Sequence, residues 1–370
     1  MSITIEDNLS LPAARQSGVV PLGATVVLPT HGRRTSLLRV LRALGRQDVP
    51  AGTFEVVVVC DGDVDGSAGA CRALAPELPY TLRVIEQANA GPAAARNRGV
   101  ADARTPLIIF IDDDVVPNER FIATHLAAQE GQEQRVAIGP LLPPTDDRLN
   151  IWGAWEERTL CRQYDDMVAG RWDATYRQFY TGNASVPKRQ ILAAGGFDPS
   201  FRRAEDVELA LRLHEQGLHF VFLPAARGWH YIRRGFAAWQ RTPAAYGAAD
   251  VAMARVGRPW ILTLIAREYR QRTRPLQMLT KLCVGRPGFV RAVTLAFGVF
   301  IRAADALRAE RFGQIACSFL FGVLYYHGLS GALGGRAAFM DLLDGRDPDL
   351  SASAPPLCAS TRRGDVADGI

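Results

Sequence analysis

The amino-acid sequence predicts an α/β fold, in which helices flank a mostly parallel, Rossmann-like sheet that is followed by a C-terminal α-helical extension. Two observations lead to this prediction. Before residue 115, four short segments rich in valine and isoleucine alternate with helix-like segments. From about residue 240 the chain becomes rich in alanine and leucine and is studded with arginine, which is typical of helices. The 370 residues suffice for one large domain or two ordinary ones.

The four predicted strands cover residues 24–29, 54–60, 81–87 and 106–112. Three of them are near-continuous apolar runs, as expected for parallel strands with helices on both faces. The first connecting helix is predicted to begin at Thr35, whose side chain could cap it, and the third near Pro92, which a first helical turn tolerates. Right-handed crossovers then make the four strands parallel, and ligands of such sheets bind beyond the carboxyl ends of the strands.

Composition excludes several classes of protein. Hydrophobic residues make up 48% and charged residues 22%, which excludes general disorder and a polytopic membrane protein. The six cysteines form no C-x-x-C pair, which argues against a disulfide framework or zinc site and indicates a reducing compartment. The first twenty residues lack the pattern of a secretory signal peptide, so we expect a cytoplasmic location. No basic stripe interleaved with aromatic residues occurs, so we expect no nucleic-acid partner.

Polar residues follow each predicted strand. They are Thr30 to Arg34 after the first, Asp61 after the second, Asn89 after the third and Asp112 to Asp114 after the fourth. The first turn is not G-x-G-x-x-G, so the sequence does not support the pyrophosphate site of NAD enzymes. A nucleotide could still lie across these ends, with Arg33 or Arg34 on phosphate and Asp61 on a base or ribose. Each residue taken singly is equally typical of a solvated loop.

The segment IIFIDDDVV carries the strongest local signal. In an extended strand end, Asp112 and Asp114 point to one side and Asp113 points away. Two carboxylates on one side could bridge Mg²⁺ or Mn²⁺ to a diphosphate. Acidic residues are also favoured at the start of a helix, so the triplet alone leaves both interpretations open.

A second cluster begins at Glu205 and Asp206, which are predicted to start a helix. Residues 207, 210, 211 and 214 would share its buried face. Asp206 could act as a general base toward an acceptor hydroxyl, although carboxylates at a helix start also gain from the helix dipole. His230 follows a short predicted strand at 218–224 and could be a third metal ligand or a structural histidine.

The succession VVLPTHGR, VVVVCDGD, NAGPAAARNRG, FIDDDV, TGNAS, GGFD and AEDVELALR resembles the family 2 glycosyltransferases of the GT-A fold, over about residues 22–235. The resemblance implies inverting transfer of a sugar from a nucleotide-sugar donor. It also implies a GT-A domain at 22–235, with a nucleotide-binding half 22–114 and an acceptor and catalytic half 115–235. The division of the chain is completed by a flexible N-terminus (1–21) and, from composition, by a C-terminal helical region (236–345) that could be membrane-associated and a disordered tail (346–370).

The resemblance assigns a role to each candidate residue. It implies a base pocket lined by Thr30, Asp61 and Asn89, a place for Arg96 near the diphosphate, a ribose contact from Asp112, a Mn²⁺ or Mg²⁺ site at Asp114 with Asp112 and His230, and catalysis by Asp206 of the Glu205–Asp206 pair. Arg33 and Asp113 are predicted to contact the nucleotide sugar as well. This chain has Cys60-Asp61-Gly62-Asp63 where members usually have Asp-Asp-Gly-Ser. UDP is therefore only a preference over GDP or dTDP.

The C-terminal region raises the question of membrane contact. The apolar segment 292–301 is too short to span a bilayer, whereas 312–335 is longer and has no formal charge. Buried helices, an interfacial helix pair on an anionic leaflet and a marginal span all remain open. The expected acceptor is a glycan, a lipid-linked molecule or another envelope component. A sugar-nucleotide nucleotidyltransferase and a non-catalytic scaffold subunit are the alternative functions.

Overall fold

The computed structural model describes residues 23–144, 149–201, 203–231 and 234–346. The strands are β1 (Ala24–Thr30), β2 (Phe54–Asp61), β3 (Thr81–Gln87), β4 (Leu107–Ile111), β5 (Val115–Pro117), β6 (Arg135–Ile138), β7 (Leu141–Leu142), β8 (Asn183–Pro187), β9 (His219–Phe222) and β10 (Gly228–His230). The helices before residue 235 are α1 (Arg34–Leu44), α2 (Ser67–Leu74), α3 (Pro92–Asp102), α4 (Phe121–Gln129), α5 (Ile151–Val168), α6 (Lys188–Ala193) and α7 (Glu205–Glu215).

Six more helices follow in the described part of the chain. They are α8 (Phe236–Arg255), α9 (Trp260–Gln271), α10 (Arg274–Cys283), α11 (Pro287–Ala306), α12 (Glu310–Leu333) and α13 (Arg336–Asp344). The predicted N-terminal segment and all of the predicted tail except Arg346 lie outside the described residues.

The main sheet has seven strands in the order β3-β2-β1-β4-β8-β6-β9. The strands β1 to β4 are parallel to one another, which confirms the predicted half-sheet. β8 runs antiparallel to both β4 and β6, and β9 is parallel to β6. A second sheet of three short strands, β5-β10-β7, lies beside the turn that follows β4. The fold is therefore mixed α/β with a mostly parallel main sheet, as predicted.

One local prediction about a helix start was wrong, and one about a buried helix face held only in part. Helix α1 begins at Arg34, one residue before Thr35, and no side chain of the preceding residue caps it. Instead, the backbone N–H of Arg34 donates to the carboxylate of Asp65 at 2.8 Å, so the cap comes from a distant loop. On α7, Val207 and His214 are only half-buried, whereas Glu208 is buried. The carboxylate of Glu208 is tolerated at this buried position because Arg212 forms an ion pair with it.

The C-terminal helices share a hydrophobic core with the α/β part. One cluster of buried residues joins Phe110 of β4 and Leu211 of α7 to Ile261 of α9 and Phe339 of α13. Helices α8 and α12 cross in backbone contact, because a Cβ atom added to Gly328 would lie 2.2 Å from the carbonyl oxygen of Ala244. The helical extension is therefore packed into the sheet rather than appended to it.

Among the described residues, one helix is long and apolar enough to cross a membrane, judged by length and composition alone. This helix is α12, and half of its most apolar stretch is buried inside the protein. A buried core helix meets the same criterion, and α12 packs against α8 and α11.

Candidate functional site

The candidate residues named from the sequence line one cavity, except Arg34. The cavity has a volume of about 1710 Å³ and lies along the carboxyl ends of the parallel strands. The candidates on its wall are Thr30, Arg33, Asp61, Asn89, Arg96, Asp112, Asp113, Asp114, Glu205, Asp206 and His230. The two halves of the predicted domain thus face each other across a common space, which the C-terminal helices extend.

The end of β2 is tied to the loop after β3 through the carboxylate of Asp61. This buried carboxylate accepts hydrogen bonds from the backbone N–H groups of Ala90 and Gly91, both at 2.8 Å, and from Gln87 at 2.8 Å. The carbonyl oxygen of Asp61 lies 2.6 Å from Nδ1 of His31. Asp61 therefore shapes this wall of the cavity. The sequence argument gave no role to Gln87, which is in no motif, or to His31, although His31 belongs to the VVLPTHGR segment.

The three aspartates after β4 do not continue the strand. β4 ends at Ile111, and the N–H of Val115 donates to the carbonyl oxygen of Asp112 at 3.1 Å, which closes a turn. The expectation that Asp113 points away was therefore wrong, since the alternation of side chains holds only in extended chain. Asp113 accepts a hydrogen bond from Thr30 Oγ1 at 2.7 Å and shares the Arg33 guanidinium with Asp114.

The pKa values of the two neighbouring carboxyl groups, Asp113 and Asp114, are shifted in opposite directions. Burial raises the pKa of Asp113 to about 6, despite the hydrogen bond from Thr30 and the charge of Arg33. Burial also acts to raise the pKa of Asp114, but hydrogen bonds and positive charge from His230 and Arg33 outweigh it and lower the pKa to about 2. Asp114 therefore stays ionised well below neutral pH, and the ionised carboxylate is the form that binds cations.

A cation site at Asp114 fits the chemistry of its neighbours. One oxygen of Asp114 lies 3.4 Å from Nε2 of His230, and the other accepts from Arg33. Mg²⁺ is usually held by one or two carboxylates and completes its shell with substrate phosphates and water. Within the described residues, no three histidine, cysteine, aspartate or glutamate side chains form a group that could hold a metal ion. Asp114 and His230 would therefore need oxygens from a bound diphosphate.

Asp112 belongs to a different charge cluster, centred on Arg96. The Arg96 guanidinium donates to Asp112 at 2.9 Å and to Glu205 at 2.8 Å, and it lies over the ring of Phe197. Arg96 is 6% exposed, and its Nε atom is buried without a hydrogen-bond partner. The arginine therefore connects the turn after β4 to the first turn of α7, and it holds Glu205 in the wall.

Asp206 differs from Glu205 in having no arginine bound to it in the described structure. Its carboxylate accepts from the backbone N–H of Val207 at 2.9 Å. Burial and the negative charge of Glu205 raise the pKa of Asp206 to about 7, although the positive charge of Arg96 opposes them. A carboxyl group with this pKa can take up a proton near neutral pH.

The cavity continues between the C-terminal helices, where sequence reasoning had assigned no site. Its wall there includes Arg177, which pairs with Glu268 of α9 at 3.0 Å, and Tyr325 of α12, which donates to Asp250 of α8. Burial raises the pKa of Asp250 to about 6. These residues carry no motif, and helical spacing alone does not reveal which helices will face one cavity.

Comparison with protein families finds one family model that matches the N-terminal part of the chain. The sequence model described as glycosyl transferase family 2 matches residues 25–190, a shorter range than the predicted 22–235. Validoxylamine A glucosyltransferase of Streptomyces hygroscopicus subsp. jinggangensis (strain 5008) is 30% identical over 223 residues, covering 54% of this chain and 53% of that protein. Chondroitin synthase of Escherichia coli is 23% identical over 239 residues, covering 56% and 34%. The chain spans about half the length of the curated relatives it matches.

Solved structures share the fold over most of the chain. Mannosyltransferase PcManGT from Pyrobaculum calidifontis, in complex with GDP-Man and Mn²⁺, matches with a TM-score of 0.54 at 19% identity, covering 82% of this chain and 86% of that one. S. aureus TarS 1-349, in complex with UDP, matches with a TM-score of 0.52 at 15% identity, covering 87% and 91%. At such identities the likeness concerns the fold alone.

Proposed function

We propose that this chain, whose residues 25–190 match the model of glycosyl transferase family 2 and whose fold is shared with a solved mannosyltransferase, transfers a sugar from a nucleotide-diphosphate sugar to an acceptor hydroxyl. The observation that carries the proposal is the shared cavity, which collects a candidate nucleotide wall, an ionised carboxylate and a carboxyl group with a pKa near 7. These are the groups that transfer from a nucleotide diphosphate requires.

The donor would lie along the ends of β1 to β4. Thr30, Asp61 and Asn89 would contact the base, with UDP as the preferred nucleotide, and Asp112 would lie near the ribose. Arg33 has a side chain that is 51% exposed, so it can turn from the aspartates toward a phosphate. Support for this placement comes from the position of these residues on one wall of the cavity.

A Mn²⁺ or Mg²⁺ ion would be held by Asp114 and His230. When bound, such an ion neutralises the negative charge that develops on the departing diphosphate. The protein's own contribution is to keep Asp114 ionised, which the low pKa of this carboxyl ensures at neutral pH. Arg96 adds a fixed positive charge beside Asp112 on the same wall.

Asp206 would act as the general base in a single in-line displacement. The acceptor oxygen attacks the anomeric carbon, the bond from that carbon to the diphosphate oxygen breaks, and the acceptor proton passes to Asp206. Attack from the face opposite the leaving group inverts the configuration. Glu205 would position this site rather than take the proton, because its carboxylate is bound to Arg96 at 2.8 Å.

The acceptor would occupy the arm of the cavity between the C-terminal helices. Paired charges and hydroxyl groups at Arg177, Glu268, Asp250 and Tyr325 suit a hydroxyl-rich molecule such as a glycan, free or lipid-linked. Arg177 lies inside the 25–190 match and the other three residues lie beyond it, so the acceptor would be recognised largely by the part of the chain outside the match.

The first experiment is a thermal-shift panel of nucleotide sugars, each with Mn²⁺ or with chelator. We expect one donor to raise the melting temperature only with the metal, because bound ligand stabilises the folded state. Formation of nucleotide sugar from a nucleoside triphosphate and a sugar phosphate would instead indicate a nucleotidyltransferase. Lack of response to any donor would favour the scaffold interpretation.

The second experiment replaces the proposed base. Asp206→Asn should retain the thermal shift with the donor but lose transfer by at least about 100-fold, the usual contribution of a general base. Glu157→Gln is the matched control, since Glu157 lines the same cavity and burial raises its pKa to about 7 as well. Normal turnover by Asp206→Asn, or equal loss in the control, would contradict the assignment.

A further inference from the structure

The outer face of α11 is apolar and exposed. Leu295, Val299 and Phe300 are 66%, 55% and 50% exposed, and the alanines between and beside them are exposed as well. The opposite face of α11 packs into the helical bundle through Val290, Ile301 and their neighbours. A helix that is apolar on all sides is normally covered on all sides. The described residues cover only one side of α11.

This exposed surface extends to the helices on either side of α11. Of thirteen large hydrophobic residues exposed in the described chain, nine lie between Met278 and Ile315. We call these nine residues the apolar face: Met278, Leu282, Phe289, Leu295, Val299, Phe300, Leu307, Phe312 and Ile315. A concentration of exposed large apolar residues of this kind marks a contact with a partner or a membrane.

Exposed basic residues are interspersed with the residues of the apolar face along the chain. Seven basic residues lie between Arg274 and Phe312 against two acidic ones, an excess of five that equals the formal charge of the whole chain. All seven are exposed, namely Arg274, Lys281, Arg286, Arg291, Arg302, Arg308 and Arg311. Of the two acidic residues, Asp305 accepts a hydrogen bond from the N–H of Ile151 inside the bundle. The rim of the apolar face is thus strongly cationic.

We propose that α10, α11 and the first turns of α12 dock on an anionic membrane surface. Apolar side chains flanked by arginine and lysine match a leaflet, because the acyl boundary takes up the apolar groups and the phosphate headgroups neutralise the cations. A second copy of the chain is a poorer occupant, since a symmetric contact would oppose two cationic rims.

The apolar face adjoins the helical end of the cavity. Ile315 belongs to both, and Leu276 and Phe319 line the cavity beside it. The helical end of the cavity therefore reaches the edge of the docking surface, so a molecule anchored in the leaflet can approach it directly. The docking itself does not depend on the proposed transfer reaction.

The test is vesicle flotation of the full chain. We expect binding to vesicles that contain phosphatidylglycerol, weak binding to phosphatidylcholine alone, and loss of binding at high salt. Leu295→Ser with Phe300→Ser should weaken binding at least about tenfold through lost apolar burial. Lys281→Gln with Arg291→Gln should weaken it about tenfold through lost attraction.

Leu192→Ser is the matched control, because Leu192 is as exposed as these residues but lies on α6. It should bind as the wild type does, and all variants should show the wild-type melting temperature, since only exposed side chains change. A wild type that ignores anionic vesicles at low salt would overturn the proposal. So would a dimer in sedimentation that the Leu295→Ser and Phe300→Ser pair dissociates, which would assign the apolar face to a second copy.

Discussion

At the scale of single residues, the site is organised by two arginines with different surroundings. Arg33 is half-exposed and joins Asp113 to Asp114, whereas Arg96 is buried and joins Asp112 to Glu205. Asp206 receives neither arginine directly, and its pKa depends on burial, which raises it, and on the opposing charges of Glu205 and Arg96. A substitution of a neighbouring charged residue can thus change the pKa of the proposed base while Asp206 itself stays in place.

Glu205→Gln tests this balance. The negative charge of Glu205 raises the pKa of Asp206, so its removal should lower that pKa, and the acidic limb of kcat/KM should move down by roughly one pH unit. The glutamine oxygen can still accept from Arg96. The measurement is the pH profile of kcat/KM for transfer. Glu157→Gln is the control, and we expect the acidic limb of its profile to stay at the wild-type pH. An unchanged or upward limb in Glu205→Gln would show that Glu205 does not act on the base by charge.

The sequence predicted which residues meet but not how they pair. Parallel strands bring their carboxyl ends to one edge, so the residues after β1 to β4 had to approach one another. The turn at Asp112 to Asp114, however, reverses the expected direction of Asp113. The polar groups of α8, α9 and α12 could not be assigned, because their common cavity arises only from the packing of helices distant in sequence.

At the scale of elements, the closest packing occurs where α8 crosses α12. A Cβ atom on Gly247 would lie 2.3 Å from the carbonyl oxygen of Tyr325, and one on Gly328 would lie 2.2 Å from that of Ala244. Two glycines, one on each helix, therefore let the backbones touch. This crossing also sets the distance between Asp250 and Tyr325, whose side chains bond across it.

Gly328→Ala should destabilise the protein by about 2 kcal/mol, because its methyl group would force the helices apart. Gly331→Ala is the matched control on the same helix, where an added Cβ atom meets nothing within 4 Å. That change should be neutral or stabilising by about 0.5 kcal/mol, since alanine favours helix. Urea unfolding gives both values, and equal effects of the two substitutions would contradict the proposed role of the crossing.

The predictability of the elements follows from their sequences. β1, β2 and β4 could be found because each is a buried apolar run, and β3 follows the same spacing along the chain. β8 was not predicted, since Asn183 to Pro187 is short and half polar. It is a strand because Asn183 to Pro187 pairs in register with Ile111 to Leu107. Pairing with a distant strand leaves no local signal.

At the scale of the whole molecule, the hydrophobic core spans the proposed boundary at residue 235. Val251, Ile261 and Phe339 belong to the same buried cluster as Phe110 and Phe197. The α/β part therefore completes its core with residues from the helical extension.

A fragment that ends at residue 235 should not fold as an independent unit. Removing the C-terminal helices would expose the cluster around Phe110 and Phe197, so we expect no cooperative thermal transition and strong binding of a hydrophobic dye. Calorimetry and dye fluorescence of the fragment and of the full chain would measure this. A fragment with a sharp transition and full affinity for the donor would refute the dependence.

The continuity of the cavity, from Thr30 at the end of β1 to Tyr325 on α12, has a consequence for inhibitor design. With a donor at one end and an acceptor at the other, as proposed, a single compound that joins a nucleotide to an acceptor mimic would fit without crossing a wall. Linking the two halves makes the second contact intramolecular, so such a compound should bind far more tightly than either half alone. The acceptor half would also provide selectivity, since Asp250, Glu268 and Tyr325 of its arm lie outside the part of the chain that matches the family.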